Sequence, residues 1–364
     1  MKSNNKIICL VINSLHAGGM ERVMSELAIE FAANPAYEVH LVLYGISREV
    51  FYTIPNNIII HRPPFEFDNG KRFLSTIRTL YFLRRKLKLV QADAILSFGE
   101  YWNSFVLLAC LGLKLPIYVS DRCQPDKDFG KMQTLLRKWL YPTASGIVAQ
   151  TRMAQSIYLR TIKQPNVTVI GNPIRMIDYN LTIQKENIVL TVGRLISTKH
   201  HDKLIEMFVR INNPEWKLVI IGDDALKQQN MTRLQTLVND LGANEKVVLL
   251  GKQSDVKTYY LKSEIFAFTS SSEGFPNVIG EAQAAGLPVV AFDCIAGPAE
   301  MLVDGENGYL VPLFDYTLFE ARLTQLMEQS ALRKKLGENA RKSVQQFSSS
   351  KISVQFEKFI LNYS

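Results

Sequence analysis

Two cations and two carboxylates stand out in this sequence by their spacing. Arg194 follows Gly193 at the end of the apolar run 188–192, and Lys199 comes five residues later, in IVLTVGRLISTKHHDKL. Arg offers a planar donor fork and Lys a point charge, so two cations beyond the carboxyl end of a strand suit a diphosphate. A solvated loop that caps a helix is the competing reading of the same spacing. Farther along, SSEGFPNVIGEAQAAGLPVVAF sets Glu273 and Glu281 eight positions apart across Gly274, Phe275, Pro276, Asn277 and Val278. Pro276 stands just before a helix expected to begin near Asn277, so the amides of residues 275–278 would be orphan donors able to meet a phosphate. Ionised carboxylates only accept hydrogen bonds, and Glu273 and Glu281 therefore suit hydroxyls at either end of that phosphate. A nucleotide sugar has those parts in that order.

Such side chains need strands to carry them. Short apolar, β-branched runs at 7–12, 38–43, 94–98, 117–120, 146–149 and 167–170 alternate with helical patterns, and the alternation begins again at 188–192, 217–221, 246–250, 265–269 and 288–292. Continuous apolar strands separated by helices predict parallel sheets covered on both faces. The fold class is therefore α/β, with two doubly wound Rossmann-like domains: 1–172, a linker over 173–187 that is rich in Gly, Pro and Asn, and 188–346. Ligands of such sheets bind beyond the carboxyl ends of the strands, which places substrate in a cleft between the domains. After the first strand, Gly18 and Gly19 open a helix. A tight strand-to-helix turn is the plain use of that pair, an anion at the helix N-terminus the sharper one, and the lack of a complete GxGxxG disfavours a dinucleotide.

The chain of 364 residues exceeds the size of a usual one-core domain, and 47% hydrophobic residues fill two cores. Its four cysteines, Cys9, Cys110, Cys123 and Cys294, form no CxxC pair, which disfavours a disulfide framework or a zinc site and points to a reducing cytoplasm. The run 7–12 is too brief for a signal-peptide core. The apolar stretch from Phe105 is cut by Lys114 and Pro116, short of the roughly 20 residues a membrane span needs. Charge is unevenly shared: residues 1–180 hold 22 Lys and Arg against 13 Asp and Glu, whereas residues 181–364 hold 20 against 21. Much of the excess lies between Lys71 and Lys88, where Arg78, Arg84, Arg85 and Lys86 interleave with Phe73, Ile77, Leu80, Tyr81 and Leu83. A helix there is basic and amphipathic. It either packs its apolar side on the core or meets an anionic membrane surface, and no nucleic-acid module accompanies it.

Taken together, GGMER from Gly18, GRLISTK ending at Lys199, EGFPNVIGE over 273–281, AGLPVVA over 285–291 and GPAEMLVDGENGYLV over 297–311 resemble a retaining glycosyltransferase of family 4 with the GT-B architecture, as in bacterial surface-polysaccharide enzymes. The resemblance covers most of the chain and is strongest over 189–311. It implies that Arg194 and Lys199 grip the donor diphosphate with backbone amides at Gly274, Phe275, Asn277 and Val278. Glu281 would hold the ribose, Glu273 the transferred sugar, and the segment around Lys252 the base, while Gly18 and Gly19 would approach from the N-terminal domain. It also implies that a last helix, within 347–364, returns to that domain. His16, Asp121 and Arg122 lie in loops that could face the acceptor or the reacting centre, and a structural role for His16 and Asp121 is an equal reading. One departure is plain: His200 stands where family members often carry Gly after the lysine.

Two decoys are set aside. Asp126-Lys127-Asp128 is a literal DxD but does not closely follow a strand, and the adjacent His200 and His201 would point apart on a helix. No metal or other cofactor is expected. Cleaving a sugar from its nucleotide leaves negative charge on the diphosphate, and Arg194, Lys199 and helix-end amides would stabilise that leaving group. The glutamates are not read as the acid/base pair of a glycosidase. The expectation is transfer of a hexose or N-acetylhexosamine from a nucleotide donor, UDP being the expected nucleotide, to a lipid-linked glycan at the inner face of the cytoplasmic membrane. A nucleotide-sugar 2-epimerase and a non-catalytic nucleotide-sugar sensor are the alternatives.

Overall fold

The computed structural model describes residues 5–46, 49–177, 183–225 and 228–362. The chain forms two compact units, residues 1–173 with 349–364, and residues 174–348.

The first unit is a seven-stranded parallel sheet. Its elements are β1 (Lys6–Ile12), α1 (Gly19–Ala33), β2 (Tyr37–Leu43), β3 (Ile59–His61), α2 (Arg72–Val90), β4 (Ala94–Phe98), α3 (Glu100–Ala109), β5 (Ile117–Ser120), α4 (Lys131–Leu140), β6 (Gly146–Ala149), α5 (Arg152–Thr161) and β7 (Val167–Val169). Strand order is β3-β2-β1-β4-β5-β6-β7. The central strands are buried along nearly their whole length, as continuous apolar runs require when helices cover both faces. On one face, Phe82, Leu83 and Leu87 of α2, Val106 and Leu107 of α3 and Leu140 of α4 share a core with Val11, Ile95 and Val119 of the sheet.

The second unit is a six-stranded parallel sheet. It contains β8 (Ile188–Val192), α6 (His201–Ile211), β9 (Lys217–Ile221), α7 (Asn230–Asp240), β10 (Val247–Gly251), α8 (Val256–Lys262), β11 (Ile265–Phe268), α9 (Asn277–Ala284), β12 (Val289–Asp293), β13 (Gly308–Pro312), α10 (Tyr316–Glu328) and α11 (Ser330–Ser343). Strand order is β10-β9-β8-β11-β12-β13. The last helix, α12 (Ser349–Ile360), belongs to the first unit, where it packs on α1 and β4.

Three features differ from the sequence reading. Strands β3 and β13 were not expected: β3 is three residues long and half-exposed, and β13 begins with Gly308 and ends with Pro312. Both are edge strands, where short length and a terminal proline are tolerated. The segment expected to be a linker from residue 173 is already structured at Ile174, which is fully buried and donates its amide to the Phe347 carbonyl at 2.7 Å. Residues 178–182 of that segment lie outside the described residues. Finally, α2 turns Ser75, Thr79, Phe82, Leu83, Leu87 and Val90 inward. Phe73, Ile77 and Tyr81, one candidate core stripe, face solvent instead, Phe73 at 81% exposure.

Phe356 of α12 is fully buried beside Phe98 of β4, with ring centroids 6.3 Å apart. Phe356→Ala should cost about 3–5 kcal/mol of stability in the first unit. Urea unfolding of the full chain should show the transition of that unit shifted to lower denaturant.

Candidate active site

The second sheet reverses its strand order between β8 and β11: the chain builds outward through β9 and β10, then returns to add β11, β12 and β13 on the other side. At such a point the connections on adjacent strands leave in opposite directions and open a crevice beyond the carboxyl ends. The two loops there are 193–200 and 269–276, which hold Arg194, Lys199 and Glu273. Backbone and side-chain bonds join them. The Ser271 amide donates to the Thr198 carbonyl at 2.9 Å, and the Thr269 hydroxyl donates to the Lys199 carbonyl at 2.7 Å.

Lys199 Nζ donates to Glu273 Oε1, and both side chains are only 14% exposed. The ammonium also lies 5.3 Å from the centroid of the Phe268 ring. The cation and carboxylate singled out from spacing thus meet as an ion pair. Arg194 stands exposed on the same loop. Its position depends on Gly222 after β9: a Cβ there would fall 1.8 Å from the Gly193 carbonyl oxygen, so only glycine lets the two loops approach this closely.

His200 takes a left-handed conformation with φ of 51°, where family members often have Gly. Such a conformation costs a residue with a side chain about 1 kcal/mol or more. The side chain supplies compensating contacts: Nε2 bonds the Ser271 hydroxyl at 2.9 Å, and the ring stands edge-on to Phe314.

Helix α9 begins at Asn277 with Pro276 before it, as expected. Glu281 is partly buried, and the Tyr260 hydroxyl donates to its Oε2 at 3.0 Å. One expectation needs correcting. The Asn277 amide is not an orphan, since it donates to the Phe275 carbonyl at 3.0 Å. Phe275 itself is buried against Phe347, and Gly274 and Val278 are partly buried on either side. Lys252 is exposed beyond β10, two strands out from β8, so roughly 10 Å of sheet separates it from the crevice at ordinary strand spacing.

In the first unit, Gly18 caps α1 and Gly19 opens it, and the helix N-terminus already holds an acid of its own. A Cβ on Gly18 would fall 2.3 Å from Glu21 Oε2, and burial raises the pKa of Glu21 against the opposing effects of its backbone bond and of His16. His16 bridges Ser14, at 2.6 Å, and Glu21, at 3.4 Å. It also lines a cavity of about 840 Å³ walled by Tyr44, Phe67, Tyr101, Trp102 and Phe105. Asp121 is withdrawn into the first unit. It is 2% exposed, paired with Arg137, and accepts from Tyr141 at 2.6 Å and Asn103 at 3.1 Å. Arg122 is withdrawn as well: its guanidinium lies 3.5 Å over the Phe98 ring and donates to Asn172, and burial lowers its pKa to about 9. Asp126 and Asp128 accept from Gln124 and the Gly130 amide, as turn-forming acids do.

Comparison with known proteins decides the family. The model of "Glycosyltransferase Family 4" matches residues 17–176, and that of "Glycosyl transferases group 1" matches residues 176–343. This chain belongs to the group 1/family 4 glycosyltransferases. It is 28% identical over 347 residues to the amylovoran biosynthesis glycosyltransferase AmsD of Erwinia amylovora, covering 92% of this chain and 93% of that one. It is 27% identical over 361 residues to a Campylobacter jejuni alpha-1,4-N-acetyl-D-galactosaminyltransferase named for a GalNAc-GalNAc-diNAcBac-PP-undecaprenol substrate, covering 97% of this chain and 98% of that one. Among solved structures, HepE of Anabaena in complex with UDP and glucose superposes with a TM-score of 0.80 at 18% identity, over 98% of this chain and 100% of that one. That likeness shows the shared GT-B fold.

Several residues that build this candidate site carry no sequence signal. Tyr260, Thr269 and Ser271 belong to no spaced pattern, because each acts on a residue brought near by tertiary structure. His201 is another. It is 4% exposed at the start of α6, and neither ring nitrogen has a hydrogen-bond partner of ordinary geometry. Burial lowers its pKa from 6.5 to about 4; the Lys199 charge acts in the same direction, and the Arg194 backbone opposes it. Below pH 6.5 the unfolded chain takes up a proton that the folded unit refuses. Stability from this group is therefore complete above pH 6.5 and falls by about 3 kcal/mol as pH drops toward 4. Urea unfolding of the second unit from pH 7 to pH 4 should show that slope, and His201→Phe should flatten it by a similar amount.

Proposed function

We propose that this glycosyltransferase moves a hexose or N-acetylhexosamine from a UDP-sugar, with retention of configuration, to a lipid-linked glycan during assembly of a cell-surface polysaccharide. The observation that carries the reading is the Lys199–Glu273 pair, with Arg194 on the same loop, at the switch point of the second sheet. A diphosphate entering this crevice brings two negative charges against Lys199 and Arg194. Lys199 then exchanges its partner, and Glu273 is released to accept hydroxyls of the transferred sugar. As the bond from sugar to phosphate breaks, charge grows on the leaving diphosphate, and both cations stabilise it more in the transition state than in the bound donor. The proposal gives this task to side chains and assigns none to a metal ion. Glu281, oriented by Tyr260, holds the ribose.

The acceptor side of the proposal rests on the names of the relatives, which place AmsD in amylovoran biosynthesis and the Campylobacter enzyme on a polyprenyl diphosphate-linked glycan. The aromatic cavity beside His16 supports it, since sugar C–H faces stack on rings such as Trp102 and Tyr101. A lipid-linked acceptor also fits work at the inner face of the cytoplasmic membrane, with the carboxylate-free helix α2 against anionic lipid. Among the described residues no helix is long and apolar enough to cross a membrane.

The test is a panel of radiolabelled UDP- and GDP-sugars incubated with purified protein, a chelator and a bacterial lipid extract. One UDP-sugar should label the lipid fraction with the chelator present. Arg194→Ala and Glu273→Gln should each lower kcat/KM by about a hundredfold or more. Isomerised donor without lipid labelling, or donor binding without any product, would overturn the assignment. In the same assay, Tyr260→Phe should raise the donor KM about fivefold with kcat unchanged, as loss of one hydrogen bond to a binding carboxylate predicts.

A further inference from the structure

Helix α4 has a mixed inward face. Leu136 and Leu140 pack on the core, but Gln133 is buried and donates to the Glu100 carbonyl at 2.8 Å and to the Ser104 hydroxyl at 3.1 Å, and Arg137 pairs with the buried Asp121. Its outward positions are apolar, with Met132 at 74%, Leu135 at 66% and Trp139 at 54% exposure. Spacings of three and four residues put these three on one stripe. A surface helix in water is expected to carry polar side chains at such outward positions.

The neighbouring helices share the anomaly. Helix α3 packs between α2 and α4, and it exposes Tyr101, Trp102 and Leu108, while α2 exposes Phe73, Leu74, Ile77, Tyr81 and Leu89. Of the 24 large apolar side chains exposed in the described residues, 11 lie on these three helices. Charge on the helices has one sign. Their sole carboxylate, Glu100, is buried and accepts the amides of Arg122 and Cys123, whereas Arg78, Arg85, Lys88, Lys131 and Lys138 are exposed. The exposed acids of the loop leading into α4, Asp126 and Asp128, are turned onto Gln124 and Gly130.

We propose that the outward faces of α2, α3 and α4 form one lipid-contacting surface, with Met132, Leu135 and Trp139 inserted into the interfacial layer of an anionic bilayer. The inference shares its partner with the membrane contact proposed for α2, and adds insertion through α4 to what basic residues alone would do. An apolar stripe flanked by Lys and Arg matches both layers of such a surface, acyl chain and anionic headgroup, and a tryptophan ring suits the boundary between them. A second copy of the chain fits less well, because it would set Lys and Arg against Lys and Arg with no exposed helix carboxylate to pair them.

The experiment is flotation of the full chain with phosphatidylcholine vesicles and with mixed phosphatidylcholine–phosphatidylglycerol vesicles, at low and high salt, with no donor or acceptor present. Binding should favour the phosphatidylglycerol vesicles by about tenfold or more and persist in part at high salt, because insertion is not screened. The double variant Leu135→Ser, Trp139→Ser should lose about tenfold of the binding at high salt, while UDP binding and far-UV circular dichroism stay unchanged. Lipids brominated in the acyl chains should quench tryptophan fluorescence, and Trp139→Tyr should remove most of that quenching. No vesicle binding, or binding abolished by salt and equal in the variant, overturns insertion. A dimer that dissociates in the variant overturns it in favour of a second copy. Because vesicle binding needs no turnover, failure of the sugar-transfer assay would leave this result standing, and the reverse also holds.

Discussion

Lys199 and Glu273 lie 74 positions apart in the sequence and can meet only because the second sheet changes direction between β8 and β11. That reversal places two strand ends side by side while their connections leave on opposite faces. Everything else at the site serves to hold the two loops at that spacing. The Thr198 and Lys199 carbonyls receive Ser271 and Thr269, His200 reaches Ser271, and Gly222 lets the Gly193 backbone pass without obstruction. The non-glycine residue at the left-handed position fits this pattern. Its strain is local, and its side chain returns a bond across the crevice that glycine could not make.

Self-pairing of Lys199 and Glu273 also meets the cost of burying two ions. Two mostly desolvated ions of opposite sign cost less when they face each other than when either stands alone, and removing one partner of such a pair strands the other. A pair nonetheless spends most of its Coulombic attraction on offsetting desolvation, so it yields readily to a ligand offering more charge. A diphosphate offers more charge to the lysine, and sugar hydroxyls offer donors to the glutamate. In the proposed reaction Lys199 would suit the exchange because its flexible stem can follow a phosphate, whereas Arg194, with a planar fork, would suit a fixed bidentate grip.

Much of this was legible in the sequence because apolar runs record burial directly. The inner strands of both sheets are near-continuous Val, Ile, Leu and Phe, and their positions follow from that alone. Edge strands escaped because their signal is weak by nature: β3 is half-exposed, and β13 is bounded by Gly308 and Pro312. Arg194, Lys199, Glu273 and Glu281 were visible because their spacing set charges around loops that follow apolar runs, but their orienting partners were not. Tyr260 sits on a helix whose sequence says nothing of Glu281. For Asp121 and Arg122 the sequence left a loop role and a structural one open, and the structure puts them in a buried network with Arg137, Tyr141 and Asn172.

That network bears on α4 in a way sequence periodicity cannot reveal. Two acids, Glu100 and Asp121, lie buried near one another, and each raises the pKa of groups around it, Glu100 itself being raised by burial and then by Asp121. Burying carboxylates requires a paired cation, and Arg137 supplies it from the inward face of α4. Once positions 133 and 137 point inward, helix geometry turns 132, 135 and 139 outward. The buried acids therefore account for the polar side chains on the hidden face of α4, where Leu136 and Leu140 pack beside them. They place no demand on the other face, where water would favour Lys, Glu or Gln. Met, Leu and Trp at those three positions need a separate cause, and one that acts on α2 and α3 as well; a medium that is apolar beneath an anionic surface acts on all three at once.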